Sequence, residues 1–139
     1  MAIPQLRPDG TLPPGTYLAT LGELAAMFDQ QGSTARPALN AALQHAATLI
    51  WSADAAAILY VNGSYITDKH DPLDVDVAVR SDVWDDTRFA AAFAATYPAE
   101  MLLVDIFFNP KQSAQHMEDL FQEVQGSPAR KGIILLRPY

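Results

Sequence analysis

Apolar residues recur at helical spacing in some stretches and form compact or alternating runs in others, and these switches divide the chain into elements. Residues 1–15 carry Pro4, Pro8, Pro13, Pro14 and Gly15, which favours an extended arm or turns over a helix or central strand. Thr20 followed by Glu23 fits a capping box, and Leu21, Leu24, Ala25 and Phe28 then repeat with helical period as far as Gly32 and Ser33. Leu39, Leu43, Ala46 and Ile50 mark one face of a longer helix over 34–52, where Pro37 falls in the first turn and needs no amide hydrogen.

The period then changes. Residues 58–62 form a short apolar run ending at Gly63, and 74–80 alternate a carboxylate or small residue with valine, as a half-buried strand does. Residues 82–97 return to helical spacing through Phe89, Ala92, Phe93 and Tyr97, with Pro98 as the stop. Residues 101–108 predict a central strand, Asn109 and Pro110 open a helix carrying Met117, Leu120, Phe121 and Val124, and 133–136 close as a strand. The order predicts an α/β (α+β) fold, a mixed sheet flanked by helices in two or three layers. A Pro-rich arm over 1–18 precedes a single domain over 19–139, since 139 residues comfortably serve one hydrophobic core.

Composition narrows the chemistry. With half the residues apolar and 18% charged the chain can offset its conformational entropy and fold. No apolar run reaches the roughly 20 residues of a membrane span and the start lacks a signal-peptide pattern, so a cytoplasmic protein without membrane partners is expected. The absence of cysteine removes disulfides, thiolate zinc sites and cysteine nucleophiles, leaving oxygen or imidazole as metal ligands. A formal charge of −7 argues against unaided binding to duplex DNA. Seven aspartates between Asp68 and Asp86 stand against only Lys69 and Arg80, so the negative charge is local, as in a solvated acidic loop or a cation site.

Within that stretch Asp74 and Asp76 are two apart on a strand, so their α-carbons lie roughly 6.5 Å apart on one face while Val75, Val77 and Val79 take the other. Carboxylates some 5 Å apart repel by roughly 3 kcal/mol at an effective dielectric near 20, which calls for protonation, wide exposure or a bound cation. A divalent metal resolves the repulsion best, and two magnesium ions bridged by such carboxylates suit in-line phosphoryl or nucleotidyl displacement. Asp105 stands alone in an apolar strand, a costly placement unless it lies at an exposed strand end or beside a metal or cationic partner. One cation shared by Asp74, Asp76 and Asp105 accounts for all three positions. Gly63 and Ser64 add a close-approach backbone and a hydroxyl suited to phosphate, although the spaced glycines of a P-loop are missing.

A strand, Gly63-Ser64, nine further residues, Asp74-Val75-Asp76 and a later strand bearing Asp105 together resemble the nucleotidyltransferase superfamily related to DNA polymerase beta, and in size its minimal nucleotidyltransferases. The resemblance covers residues 57–107. It implies that Asp74 and Asp76 bind magnesium, that Asp105 completes the metal site and helps deprotonate an attacking hydroxyl, and that Gly63 and Ser64 hold the phosphates of ATP or another nucleoside triphosphate. Two Mg2+ ions are the implied cofactors. Many minimal members carry an arginine directly after Gly-Ser, where this chain has Tyr65, leaving Lys69 as the nearest cation. The resemblance further implies a partner, either a toxin-like protein or an RNA acceptor, in a toxin–antitoxin or phage-defence setting.

Two rival readings stand beside it: a catalytically silent module that keeps the fold to grip a partner, and a two-metal phosphodiesterase. His45, His70 and His116 fit no zinc-ligand spacing and read as surface or satisfied histidines, with His70 close enough to the aspartates to reach phosphate. Arg130, Lys131 and Arg137 read as a small solvated basic end, and Tyr17, Trp51 and Trp84 as packing aromatics.

Overall fold

A computed structural model of the chain describes residues 3–29, 35–81, 103–108 and 131–137. Five strands form one mixed sheet: β1 (Gly15–Thr20), β2 (Ile58–Asn62), β3 (Val75–Arg80), β4 (Val104–Phe108) and β5 (Gly132–Arg137), in the spatial order β1-β5-β2-β3-β4. β1 pairs parallel to β5 and β3 parallel to β4, whereas β2 runs antiparallel to both β3 and β5. With helices α1 (Leu21–Phe28) and α2 (Ala35–Ala53), the described residues make an α+β fold. The helices expected over 82–97 and after Pro110 lie outside the described residues.

Local chemistry explains the helix boundaries. Thr20 has extended backbone angles, its hydroxyl accepts from the Glu23 amide at 3.1 Å and the Glu23 carboxylate accepts from the Thr20 amide at 3.0 Å, which completes the anticipated capping box. α2 begins two residues before Pro37, and its face of Leu39, Leu43, Ala46 and Ile50 is fully buried. That face, with Leu24 and Phe28 of α1, packs on one side of the sheet against Leu59, Val61, Val75, Val77, Val79, Val104, Ile134 and Leu136. Burying the three valines of β3 contributes about 2 kcal/mol each before entropy is counted.

Alternation puts the other residues of these strands on the second face, where Tyr60, Ala78 and Ile133 are also buried and Ile58 and Leu135 pack against them. Burial on both faces is why β2 reads as a continuous apolar run. No helix among the described residues is long and apolar enough to cross a membrane.

Strand β1 was not foreseen. Its register partner is β5, from the far end of the chain, and local periodicity carries no trace of such a pairing. The residues before it join the body as well: Leu12 is buried in the core, its carbonyl accepts from the Gly132 amide at 2.9 Å, and Gly10 accepts from the Asp68 amide at 3.0 Å. Gly132 is required for this approach, because a β-carbon there would overlap the Pro13 carbonyl and press on the Tyr17 ring.

Candidate functional site

The sheet directions bring the C-terminal end of β2 and the N-terminal ends of β3, β4 and β5 to one end of the sheet. There Asn62 is the register partner of Asp76, and Asp76 the register partner of Asp105, so three of these positions form one row across β2, β3 and β4. Asp74 immediately precedes β3. Asp74 and Asp76 are both partly exposed, as are Gly63 and Ser64.

Gly63 leaves β2 with φ 90° and ψ −173° and starts a 3-10 turn over Ser64–Ile66. That positive φ is strained for residues bearing a β-carbon. A β-carbon at Gly63 would also stand 2.7 Å from Asp76 Oδ2, so the bare backbone lets the Asp76 carboxylate lie directly against the turn. The structure thus brings Gly63 and Asp76 into contact and sets Ser64 at the start of the same turn. The side chain of Asp105 lies outside the described residues, and its position is fixed by register alone.

The turn is held from behind by a residue the sequence reading passed over. Arg36 on α2 has 0% of its surface exposed, and its guanidinium donates to the carbonyl oxygens of Tyr65 (2.6 Å), Thr67 (2.8 Å), Lys69 (2.5 Å) and Phe28 (3.3 Å). It also lies 5.5 Å from the centroid of the Tyr65 ring. Tyr65 is buried against Phe28, with ring centroids 5.8 Å apart, and its hydroxyl donates to Asp29 at 2.8 Å. Burial first, and then the hydrogen bond to Asp29, push the Tyr65 phenol well above its ordinary range, so it stays neutral. The residue after Gly-Ser is therefore a core anchor of the turn.

Lys69 is exposed on the outgoing loop, where its amide donates to the Thr67 hydroxyl at 3.2 Å, and His70 beside it is exposed with Asp71 at 3.8 Å. A second cation lies at the start of β5, at this end of the sheet. Lys131, directly before β5, is partly buried, and its ammonium is depressed by burial while the negative charge of Asp76 acts in the opposite sense. The solvated basic end anticipated at 130–137 is thus half-sheltered at Lys131 and electrostatically coupled to the candidate site. Register with β5 is the signal that finds it, and the sequence alone does not supply that register.

Oxygen donors dominate this end of the sheet. The Asn62 Oδ1 atom is buried and has no hydrogen-bond partner, and it belongs to the residue paired with Asp76. The Asp76 carboxylate and the amide oxygen of its register partner Asn62 are oxygen donors of the kind a hard cation such as magnesium prefers. Among the described residues no three histidine, aspartate or glutamate side chains group as a complete metal site, and the third expected ligand, Asp105, is outside that set.

These features define an α+β protein whose mixed sheet ends in a glycine-linked turn, an acidic row and a sheltered lysine. Residues 4–137 match the model of a family of unknown function, DUF6932, and the chain belongs to that family. The match includes the Pro-rich N-terminal segment that the fold ties to β5 and to the loop at Asp68. No curated protein and no solved structure matches the chain.

Proposed function

We propose that the protein is a magnesium-dependent nucleotidyltransferase that moves a nucleoside monophosphate from a triphosphate onto a hydroxyl of a partner protein or RNA. The observation that carries this reading is the contact between Asp76 and the Gly63 turn, in the register row that joins Asn62, Asp76 and Asp105. A phosphate-binding turn and metal-binding carboxylates must share one volume for this chemistry, and that contact puts a carboxylate against the turn.

In this reading Asp74 and Asp76 hold the metal, with Asn62 Oδ1 as a further oxygen donor and Asp105 as the remaining ligand. Bound magnesium would neutralise phosphate charge and polarise the α-phosphate. The Gly63–Ser64 backbone and the Ser64 hydroxyl hold the phosphate chain. The acceptor hydroxyl attacks the α-phosphorus, a new oxygen–phosphorus bond forms, and the bond to pyrophosphate breaks. Asp105 receives the hydroxyl proton, the role the superfamily resemblance gives it. Arg36 keeps the turn and its outgoing loop in place by holding the carbonyls of Tyr65, Thr67 and Lys69, and so acts on the reaction only through position.

The test is transfer from α-labelled triphosphates, each of the four in turn, with magnesium and total cellular RNA and protein as acceptors. Label should appear in an acceptor with release of pyrophosphate, and Asp76→Asn should abolish it; equal labelling by that variant, or none by the wild type, contradicts the reading. A second reading, a silent module that grips a partner, is favoured by Tyr65. The family's arginine position is locked in the core, and the 63–73 loop keeps Lys69 as its one permanent cation. That reading requires partner binding unaffected by Asp76→Asn.

A further inference from the structure

We propose that Lys131 is the phosphate-binding cation of this site, standing beside Asp76 in the unliganded protein and turning to the triphosphate when a magnesium-loaded nucleotide enters. The inference rests on the nucleotidyltransferase reading and deepens it by naming the residue that neutralises the substrate.

Three observations lead to it. First, the position that carries arginine in many minimal nucleotidyltransferases is taken by Tyr65, buried against Phe28 with its hydroxyl tied to Asp29, which leaves the loop one permanent cation, Lys69, exposed beyond the turn. A triphosphate approaching three aspartates on a chain of formal charge −7 needs a positive group besides the metal. Second, the topology delivers Lys131 to that place. β2 and β5 are antiparallel with Val61 opposite Ile134, so the C-terminal end of β2, from which the Gly63 turn departs, lies beside the N-terminal end of β5, which Lys131 directly precedes. Third, the backbone beside Lys131 is anchored. The neighbouring Gly132 amide is bonded to the Leu12 carbonyl, and the space a β-carbon would need at Gly132 is filled by Pro13 and Tyr17, which pins the base of the four-carbon lysine stem.

Partial burial beside a carboxylate also fits a cation held near its place of action, since a solvated surface lysine gains little from such a neighbour. In the unliganded state the ammonium offsets the charge of Asp76. Magnesium takes over that task when it binds Asp76, and the ammonium is then released toward the phosphate oxygens brought in with the metal. Lys131 and magnesium alone therefore compete for Asp76, whereas Lys131 and magnesium triphosphate cooperate.

That opposition in sign gives the test. Calorimetric titration of the full chain with magnesium chloride alone, and with magnesium tripolyphosphate as a probe of the phosphates common to every nucleoside triphosphate, is carried out on wild type, Lys131→Met, Lys131→Arg and Asp76→Asn. Lys131→Met should weaken the tripolyphosphate complex by about tenfold or more while binding magnesium alone as tightly as wild type or tighter. Lys131→Arg should stay within about threefold of wild type for tripolyphosphate, because it keeps the charge. Unchanged tripolyphosphate affinity in Lys131→Met, or loss of both ligands together, overturns the role, the second result marking Lys131 as merely structural. If wild type binds neither probe, or Asp76→Asn binds both like wild type, the nucleotidyltransferase reading itself fails and this inference falls with it.

Discussion

The two ends of the β2–β3 pair handle an aspartate in opposite ways. At the end where β3 finishes, Asp54 is 8% exposed and closed off by donors: the Ser81 hydroxyl bonds Oδ2 and the Ala56 amide bonds Oδ1 at 2.9 Å. At the end where β3 begins, Asp74 and Asp76 are half-exposed, the neighbouring Asn62 oxygen has no partner, and the nearby cation is a lysine on a flexible stem. A carboxylate built for structure is buried and saturated by hydrogen bonds, because a buried charge without them costs several kcal/mol. Asp74 and Asp76, partly exposed at the other end, are the carboxylates to which the proposed cation site assigns a ligand. The contrast separates the aspartate that holds the fold from those assigned to the proposed site.

The largest effect expected from testing that contrast comes from neither end but from the support behind the turn. Arg36→Met removes the guanidinium from four carbonyl oxygens and should lower the unfolding free energy by at least about 3 kcal/mol, read by urea denaturation. Asp54→Ala should cost about 2 kcal/mol in the same measurement, since the Ser81 hydroxyl loses its acceptor, and should leave magnesium binding as in wild type. Asp76→Asn should change stability least, within about 0.5 kcal/mol, because the residue is half-exposed. A loss at Asp76 as large as that at Asp54 would erase the distinction between the two ends.

Much of this architecture was legible beforehand, for identifiable reasons. The capping box at Thr20 and Glu23, the valine alternation of β3 and the buried stripe of α2 are local patterns, and each is realised where the sequence places it. The break of β2 at Gly63 follows from the same kind of local rule. What escaped was set by contacts distant in sequence. β1 exists because β5 pairs with it, Arg36 matters because it reaches a loop some thirty residues away, and Lys131 joins the site because β5 lies beside β2. Nothing local in the sequence distinguishes Arg36 from an ordinary charge near the start of a helix, a position where guanidinium groups are commonly solvated.

The identity of this sheet end as a cation site is tested most directly by titrating the 15N-labelled protein with manganese, a paramagnetic stand-in for magnesium, and following the loss of backbone amide signals. Broadening should begin at Asn62, Gly63, Asp74, Asp76, Asp105 and Lys131, with Asp54 and Ser81 unaffected at the same metal concentration. Broadening that starts instead around Asp68 and Asp71, or spreads evenly over the acidic surface, would contradict it.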